Sequence, residues 1–239
     1  VTVHVANVGA GFGSKNNCKN EPVAVMLSLL ARRPVRYCLT MEECALTNTQ
    51  HAAILRLKTG VKKDGRITAA EAVLKYQAGC FQGSPVQPGC MCAFAPYDLA
   101  NVKVVGYDVL SNRPKVAAYR APGAPIGAYA VECVLDEVAE RLKMDPLELR
   151  LKNAAKQGTK AVHGPVYPVM GYVETVKAAM AHPHYKAPLK PNQGRGVASG
   201  YWFNAGGESS AQVNITEDGN VTVMTGHPDI GGSRASSAN

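Results

Sequence analysis

The chain has 239 residues, 46% of them hydrophobic and 18% charged, which excludes a disordered chain and a disulfide-stapled miniature and allows a body that buries roughly 70–75% of its unfolded surface. Its longest strongly apolar stretch, Val23 to Ala31, ends at Arg32 and Arg33, well short of the roughly 20 apolar residues that a membrane-spanning helix needs. With 26 basic against 18 acidic residues the formal charge is +8, which suits an anionic ligand or an acidic surface, but the basic residues are scattered in pairs and there is a single Trp, so nucleic acid is not the expected partner.

In chain order, Val1 to Ala6 alternates as a strand from its first residue, with no initiator Met or leader before it. At the other end the chain stops at Asn239, where a helix should follow a strand and a loop, so a piece of a larger subunit is expected. After the opening strand comes the loop Gly9-Ala10-Gly11-Phe12-Gly13-Ser14-Lys15-Asn16, then a helix over Glu21 to Arg33 with Pro22 early in it, then a second strand over Pro34 to Thr40. A helix between two strands implies a buried crossover. Ala53 to Gly60 and Ile67 to Gln77 flank Lys62-Lys63-Asp64-Gly65-Arg66, whose Asp-Gly predicts a hairpin.

Val102 to Leu110 reads as another strand. From Ile126 to Lys143 the apolar residues Ile126, Ala130, Cys133, Val134, Val138 and Leu142 recur at helical spacing. Asp145-Pro146 fits an N-cap with Pro at the first helical position of a helix reaching about Asn153. A third helix, Tyr172 to Ala181, ends at a proline-rich linker over His182 to Pro191. Gly196 to Phe203, Ser210 to Thr216 and Asn220 to Thr225 read as strands, the last two joined at Asp218-Gly219. Seven cysteines, at 18, 38, 44, 80, 90, 92 and 133, make no C-x-x-C pair and no zinc spacing, and read as reduced, mostly buried thiols of a cytoplasmic protein; Cys90-x-Cys92 is too close for ordinary disulfide geometry.

The glycine loop departs from three phosphate-binding patterns at definite positions. Lys15 stands between Ser14 and Asn16 rather than in the Gly-Lys-Ser/Thr of a P-loop, position 14 is not the third glycine of a dinucleotide fingerprint, and the kinase spacing is one residue longer. On its own the loop is better read as a tight turn than as backbone approaching a ligand with its amides free to donate.

Together with three later segments, however, the loop resembles the molybdenum-binding subunit of the xanthine oxidase family of molybdenum hydroxylases. Gly9 to Lys15 is similar to that family's G-G-G-F-G-G-K loop, and Ala118-Tyr119-Arg120-Ala121-Pro122-Gly123 to its A-[FY]-R-G-x-G loop. Glu132 with Leu135-Asp136-Glu137-Val138-Ala139, followed by Asp145-Pro146-Leu147-Glu148-Leu149-Arg150-Leu151-Lys152-Asn153, matches E-x-x-[LM]-D-E-x-A and D-P-x-E-[LF]-R-x-x-N. Thr225-Gly226-His227-Pro228-Asp229-Ile230-Gly231-Gly232 resembles T-G-x-x-[DE]-[IM]-G-Q-G.

The resemblance implies an α+β (mixed α/β) fold, with residues 1–190 as an N-terminally truncated first molybdenum cofactor-binding domain and 191–239 as the start of a second. It implies a molybdopterin cofactor, plain or as the cytosine dinucleotide, in an oxidoreductase that hydroxylates an aldehyde or N-heterocyclic carbon with oxygen from water. Electrons would pass to iron-sulfur clusters and FAD on partner subunits. The alternative is a non-catalytic cofactor-binding or assembly module of the same fold. The cofactor-binding candidates are Gly11, Phe12, Gly13, Arg120, Ala121, Gly231 and Gly232; backbone amides at Phe12 and Gly13 would face the metal's ligands, and the Arg120 fork would face an anionic group. No residue is assigned as a catalytic group or metal ligand, because the family's base glutamate would fall beyond Asn239 and its glutamine before Val1. The isolated chain is therefore expected to be inactive. Glu132, Asp136 and Glu137 are expected to be solvated or helix-pairing charges. Asn16, Gln87 to Cys90 and Pro122 depart from the purine-oxidising members, and Gly232 replaces a pterin-bonding glutamine.

Overall fold

The computed structural model describes residues 2, 4, 11–16, 18–47, 50–116, 120–203 and 207–226. The chain divides into two compact units, Val1–Leu39 with Asn204–Asn239, and Thr40–Phe203. The expected opening strand lies outside the described residues. In the first unit, α1 spans Glu21–Ala31 behind Asn20, carries its Pro in the first turn and stops at Arg32, which takes a left-handed φ of 52°. Its apolar residues run all round the helix and none is buried. Residues 34–40 join no ladder among the described residues, so the expected strand is not seen there, and the buried crossover expected from the opening strand starts outside the described residues. The alternation of Val35, Tyr37 and Leu39 supplied the period of a strand, but no neighbouring strand among the described residues takes up its hydrogen bonds.

The second unit opens with a helix that the sequence reading missed, α2 (Met41–Thr47). Thr40, assigned above to a strand, is its cap: the Glu43 amide donates to Thr40 Oγ1 at 3.2 Å while the Thr40 amide donates to Glu43 at 2.8 Å. That reciprocal pair is the Thr-x-x-Glu capping box. The predicted hairpin follows as β1 (Ala53–Val61) and β2 (Ile67–Gly79), antiparallel with Ala53 opposite Tyr76 and a bulge at Gly60/Val61. A short helix, α3 (Val86–Cys92), crosses over to β3 (Val102–Leu110), which lies parallel to β2, giving the sheet order β1-β2-β3. Pro88 and Gly89 hid α3 from the sequence reading; Pro88 lies in its first turn, where amides lack intrahelical partners in any case.

On β2, Ala70, Ala72, Leu74, Tyr76 and Ala78 share one face by the two-residue strand period and all are buried. Against that face packs α4 (Ala124–Leu142) with Val131, Leu135 and Ala139, joined by Phe94 and Tyr97. Each such Val, Leu or Phe contributes about 1.5–3 kcal/mol over an exposed one. α5 (Pro146–Lys152) starts as predicted, the Asp145 carboxylate accepting from the amides of Leu147 and Glu148. Its C-terminal neighbour Asn153 accepts from the Ile67 amide and donates to the carbonyls of Gly65 and Leu149, each at 2.9 Å, which ties the hairpin turn to the helix.

α6 (Tyr172–Ala181) lies where predicted, but the proposed linker after it contains one more helical turn, α7 (Pro183–Lys186), with Pro183 at a first-turn position that tolerates it. Residues 196–203 form no strand; the Ser199 amide bonds instead to the Glu132 carboxylate at 2.6 Å. Back in the first unit, β4 (Ala211–Ile215) and β5 (Val221–Thr225) form the second predicted hairpin, turning at Gly219 with φ 82°. The cysteines are free thiols, but Cys18, Cys38, Cys44, Cys80 and Cys133 are exposed, Cys90 is half-buried, and only Cys92 is buried, so the expectation of mostly buried thiols fails. Among the described residues no helix is long and apolar enough to cross a membrane.

Candidate functional site

Gly11, Phe12 and Gly13 lie together in one tight turn of the first unit. The Ser14 amide and hydroxyl both donate to the Gly11 carbonyl, at 2.9 and 2.7 Å, and the two residues between have positive φ, 45° at Phe12 and 83° at Gly13. Positive φ at both central positions is the signature of a type I′ turn. Gly13 takes it freely, whereas a left-handed Phe costs about 1–2 kcal/mol. Strain of this kind persists where the surroundings impose it and concentrates at ligand-binding turns. The Phe12 ring is 80% exposed, while Gly13 is buried. Six residues separate the turn from the first residue of α1 at Glu21, so the loop does not present a helix N-terminus as a P-loop does.

Arg120 and Ala121 lie in the second unit, on the turn that leads into α4. Ala121 has φ 55° and Gly123, the N-cap, has φ 83°. The Ala124 amide closes the turn on the Ala121 carbonyl at 3.2 Å. The family pattern has glycine at position 121, so this chain holds an alanine in a left-handed conformation that glycine adopts without cost. Arg120 is exposed, and among the described residues no carboxylate forms an ion pair with it.

The turn is held from below by close backbone contacts. A Cβ on Gly123 would stand 2.0 Å from the Pro85 carbonyl oxygen, and one on Gly89 would stand 2.7 Å from the Tyr76 hydroxyl. The Tyr76 hydroxyl donates to the Gly123 carbonyl at 2.9 Å, and the His51 ring stacks on the Tyr76 ring with centroids 5.2 Å apart. Burial pushes the Tyr76 phenol far above its usual range and lowers the His51 pKa from 6.5.

Glu132 does not behave as expected of a solvated charge, whereas Asp136 is exposed and yet pairs with a buried cation. Glu132 is buried, and its carboxylate accepts from the Tyr97 hydroxyl, from Arg150 Nε at 2.8 Å and from the Ser199 amide. Arg150 is wholly buried; its Nη2 donates to Asp136 at 2.8 Å and its Nη1 to the Pro146 carbonyl at 3.0 Å. Burial alone would lower the Arg150 pKa, but Glu132 and Asp136 reverse that and raise it. Burial also raises the Tyr97 phenol, with the Glu132 charge adding to it. Glu137 does pair along its helix, with Arg141 at 3.7 Å. The motif segments Glu132–Ala139 and Asp145–Asn153 are thus a locked joint between α4 and α5. The signal that could have found it is Arg150 between Leu149 and Leu151, a cation on the apolar stripe of a short helix.

Gly231 and Gly232 lie outside the described residues. Among the described residues no three His, Cys, Asp or Glu side chains gather as metal ligands.

A family model described as a molybdopterin cofactor-binding domain matches residues 1–154. The chain belongs to that family. This molybdopterin-binding chain is 30% identical over 247 residues to an aldehyde oxidoreductase of Megalodesulfovibrio gigas, an alignment covering 96% of this chain and 27% of that protein. It is 29% identical over 245 residues to the xanthine dehydrogenase molybdenum-binding subunit of Escherichia coli O157:H7, covering 94% of this chain and 32% of the relative. Among solved structures, the aldehyde oxidoreductase from Desulfovibrio desulfuricans superimposes with a TM-score of 0.73 at 27% identity, over 90% of this chain and 25% of that one. The molybdopterin-binding chain therefore spans about a third or less of the length of these relatives. Both the Phe12 turn and the Arg120 turn fall inside the matched family region.

Proposed function

We propose that this chain is the cofactor-holding part of a larger molybdenum hydroxylase of the xanthine dehydrogenase and aldehyde oxidase type, which oxidises an aldehyde or an N-heterocyclic carbon with oxygen taken from water. The observation that carries the reading is the presence, within one molybdopterin-binding family match, of two turns with left-handed backbone at the motif positions, one bearing an exposed guanidinium. The donor set fits the cofactor: amides on a tight turn and a planar cation are suited to an anionic pterin phosphate and to oxygen or sulfur acceptors. Relatives whose names state the chemistry include the aldehyde oxidoreductase above and a nicotinate dehydrogenase large molybdopterin subunit of Eubacterium barkeri, 28% identical over 184 residues.

In this reading Gly11, Phe12 and Gly13 offer backbone donors beside the metal end of the cofactor, and a side chain at position 13 would obstruct that approach. Arg120 holds an anionic group, with Ala121 giving the turn its direction. Gly231 and Gly232 make a third backbone contact. The bound molybdopterin, plain or as the cytosine dinucleotide, supplies the two-electron oxidation. No side chain of this chain is assigned to proton transfer, which falls to a carboxylate elsewhere in the complete subunit. Residues 1–190 and 191–239 contribute to successive cofactor-binding domains, iron-sulfur and FAD subunits take the electrons, and the assembly works in the cytoplasm.

Metal and pterin analysis of the complete subunit purified with its partners tests the reading. Stoichiometric molybdenum with aldehyde- or heterocycle-dependent dye reduction is expected; a fully assembled protein with pterin and metal but no turnover on either class would favour a non-catalytic binding module, and one with neither would overturn both.

A further inference from the structure

We infer that Tyr76 is a positioning residue for the Arg120–Gly123 turn: its buried hydroxyl fixes the carbonyl at the turn's end, so that Arg120 meets the cofactor in one orientation. This rests on the assignment of Arg120 proposed above. Tyr76 stands on the central strand of the sheet, is fully buried, and is stacked on its ring face by His51, so its hydroxyl cannot swing away. Core packing requires the ring but not the oxygen, since phenylalanine would fill the same volume. What the oxygen adds is the 2.9 Å bond to the Gly123 carbonyl, which also accepts the Gly127 amide of α4's first turn at 3.2 Å.

The surroundings are cut to that oxygen. Gly89 leaves room for it, its absent Cβ otherwise standing 2.7 Å away, and Gly123 lies against the Pro85 carbonyl with no room for any side chain. Two residues upstream of Gly123, Ala121 is held at φ 55°, a conformation that an alanine keeps only when its neighbours impose it. Burial keeps the phenol protonated, so the donor persists at every physiological pH. The hydroxyl thus connects the sheet to the one turn that carries an exposed arginine at a family motif position.

The test uses the complete, molybdenum-loaded subunit with Tyr76→Phe, Arg120→Ala, their double variant, and Ile67→Val, a buried change at the far end of the same strand. Molybdenum retained after dilution gives the release rate, and hydrogen exchange reads the amides of Ala124 and Gly127. Tyr76→Phe should speed both exchange and release about five- to tenfold, the loss of one hydrogen bond. Arg120→Ala should speed release without changing exchange, the double variant should release no faster than Arg120→Ala, and Ile67→Val should release at the native rate. Native release from Tyr76→Phe, an additive double variant, or equal acceleration by Ile67→Val would overturn the positioning role. Native release from Arg120→Ala would instead overturn the functional assignment of Arg120.

Discussion

Replacing Glu132 tests whether the joint between α4 and α5 is as closed as its geometry indicates. Alanine at this position removes the acceptor of three donors, the Tyr97 hydroxyl, Arg150 Nε and the Ser199 amide, and leaves a wholly buried guanidinium with the Asp136 carboxylate, whose side chain is 51% exposed, and the backbone carbonyls of Pro146 and residue 132. Breaking a buried pair in this way costs about 3–5 kcal/mol. Glutamine should cost less, about 1–3 kcal/mol: its carbonyl oxygen can still accept from Arg150 and Ser199 and its amide can donate to the Tyr97 oxygen, so that the charge and the acceptor of the Tyr97 hydroxyl proton are what is lost. Urea unfolding of the purified protein followed by far-ultraviolet circular dichroism, extrapolated to water, measures both values. Glu132→Ala within about 1 kcal/mol of the native protein, below the cost of one orphaned buried donor, would refute the argument. So would a Glu132→Gln as damaging as Glu132→Ala.

Gly123→Ala places a Cβ 2.0 Å from the Pro85 oxygen at φ 83°, and should cost on the order of 4 kcal/mol, a fall in Tm on the order of 10 °C; a native melting curve would show that α3 and α4 do not touch as described. Because burial lowers the His51 pKa below its ordinary 6.5, the unfolded chain takes up this proton before the folded one, so stability should be unaffected above about pH 6.5, decline as pH falls from there, and level off below the folded value. His51→Phe keeps the stack on Tyr76 and should flatten the dependence of the urea midpoint on pH in that window; an unchanged slope would refute it. Gly13→Val, in the complete assembly, should abolish molybdenum retention while leaving the circular dichroism intact, because a β-branched residue is strained at φ 83° and fills the approach; full metal content with undiminished hydroxylation would reduce the loop to a plain turn.

Where local chemistry and tertiary structure point the same way, the sequence was legible. Asp64-Gly65 between alternating runs gave the β1–β2 hairpin, Asp145-Pro146 gave the start of α5, and the apolar spacing from Ile126 gave α4 to within two residues at either end. It misled where a period found no partner among the described residues: Pro34 to Thr40 alternates yet joins no ladder there, and Gly196 to Phe203 gives a backbone amide to a buried carboxylate instead of to a strand. Thr40 and Glu43 made a capping box that could have been read but was spent on the end of a strand. Motif positions pointed to the Phe12 and Arg120 turns, but nothing local to them told of Tyr76, 47 residues before Gly123, and Arg150 carried only the hint of a cation between two leucines, with nothing to name Glu132, 18 residues earlier, as its partner. Such pairings arise only when the sheet and helices close on one another.

Asn153 bears on the order in which the second unit assembles. The β1–β2 hairpin joins strands that are neighbours in sequence, and local pairings of this kind close quickly; β2 must wait for β3 across α3, and the hairpin's own turn is secured to Asn153 over a separation of more than 80 residues. A two-stranded hairpin is marginally stable by itself, and the turn of this one gains its Asn153 bonds only once the end of α5 can reach back to it. A ribosome that has delivered residues up to α4 holds a sheet whose first turn is still unlatched, and the latch arrives with the last of the nine residues from Asp145 to Asn153 that the sequence marks most plainly.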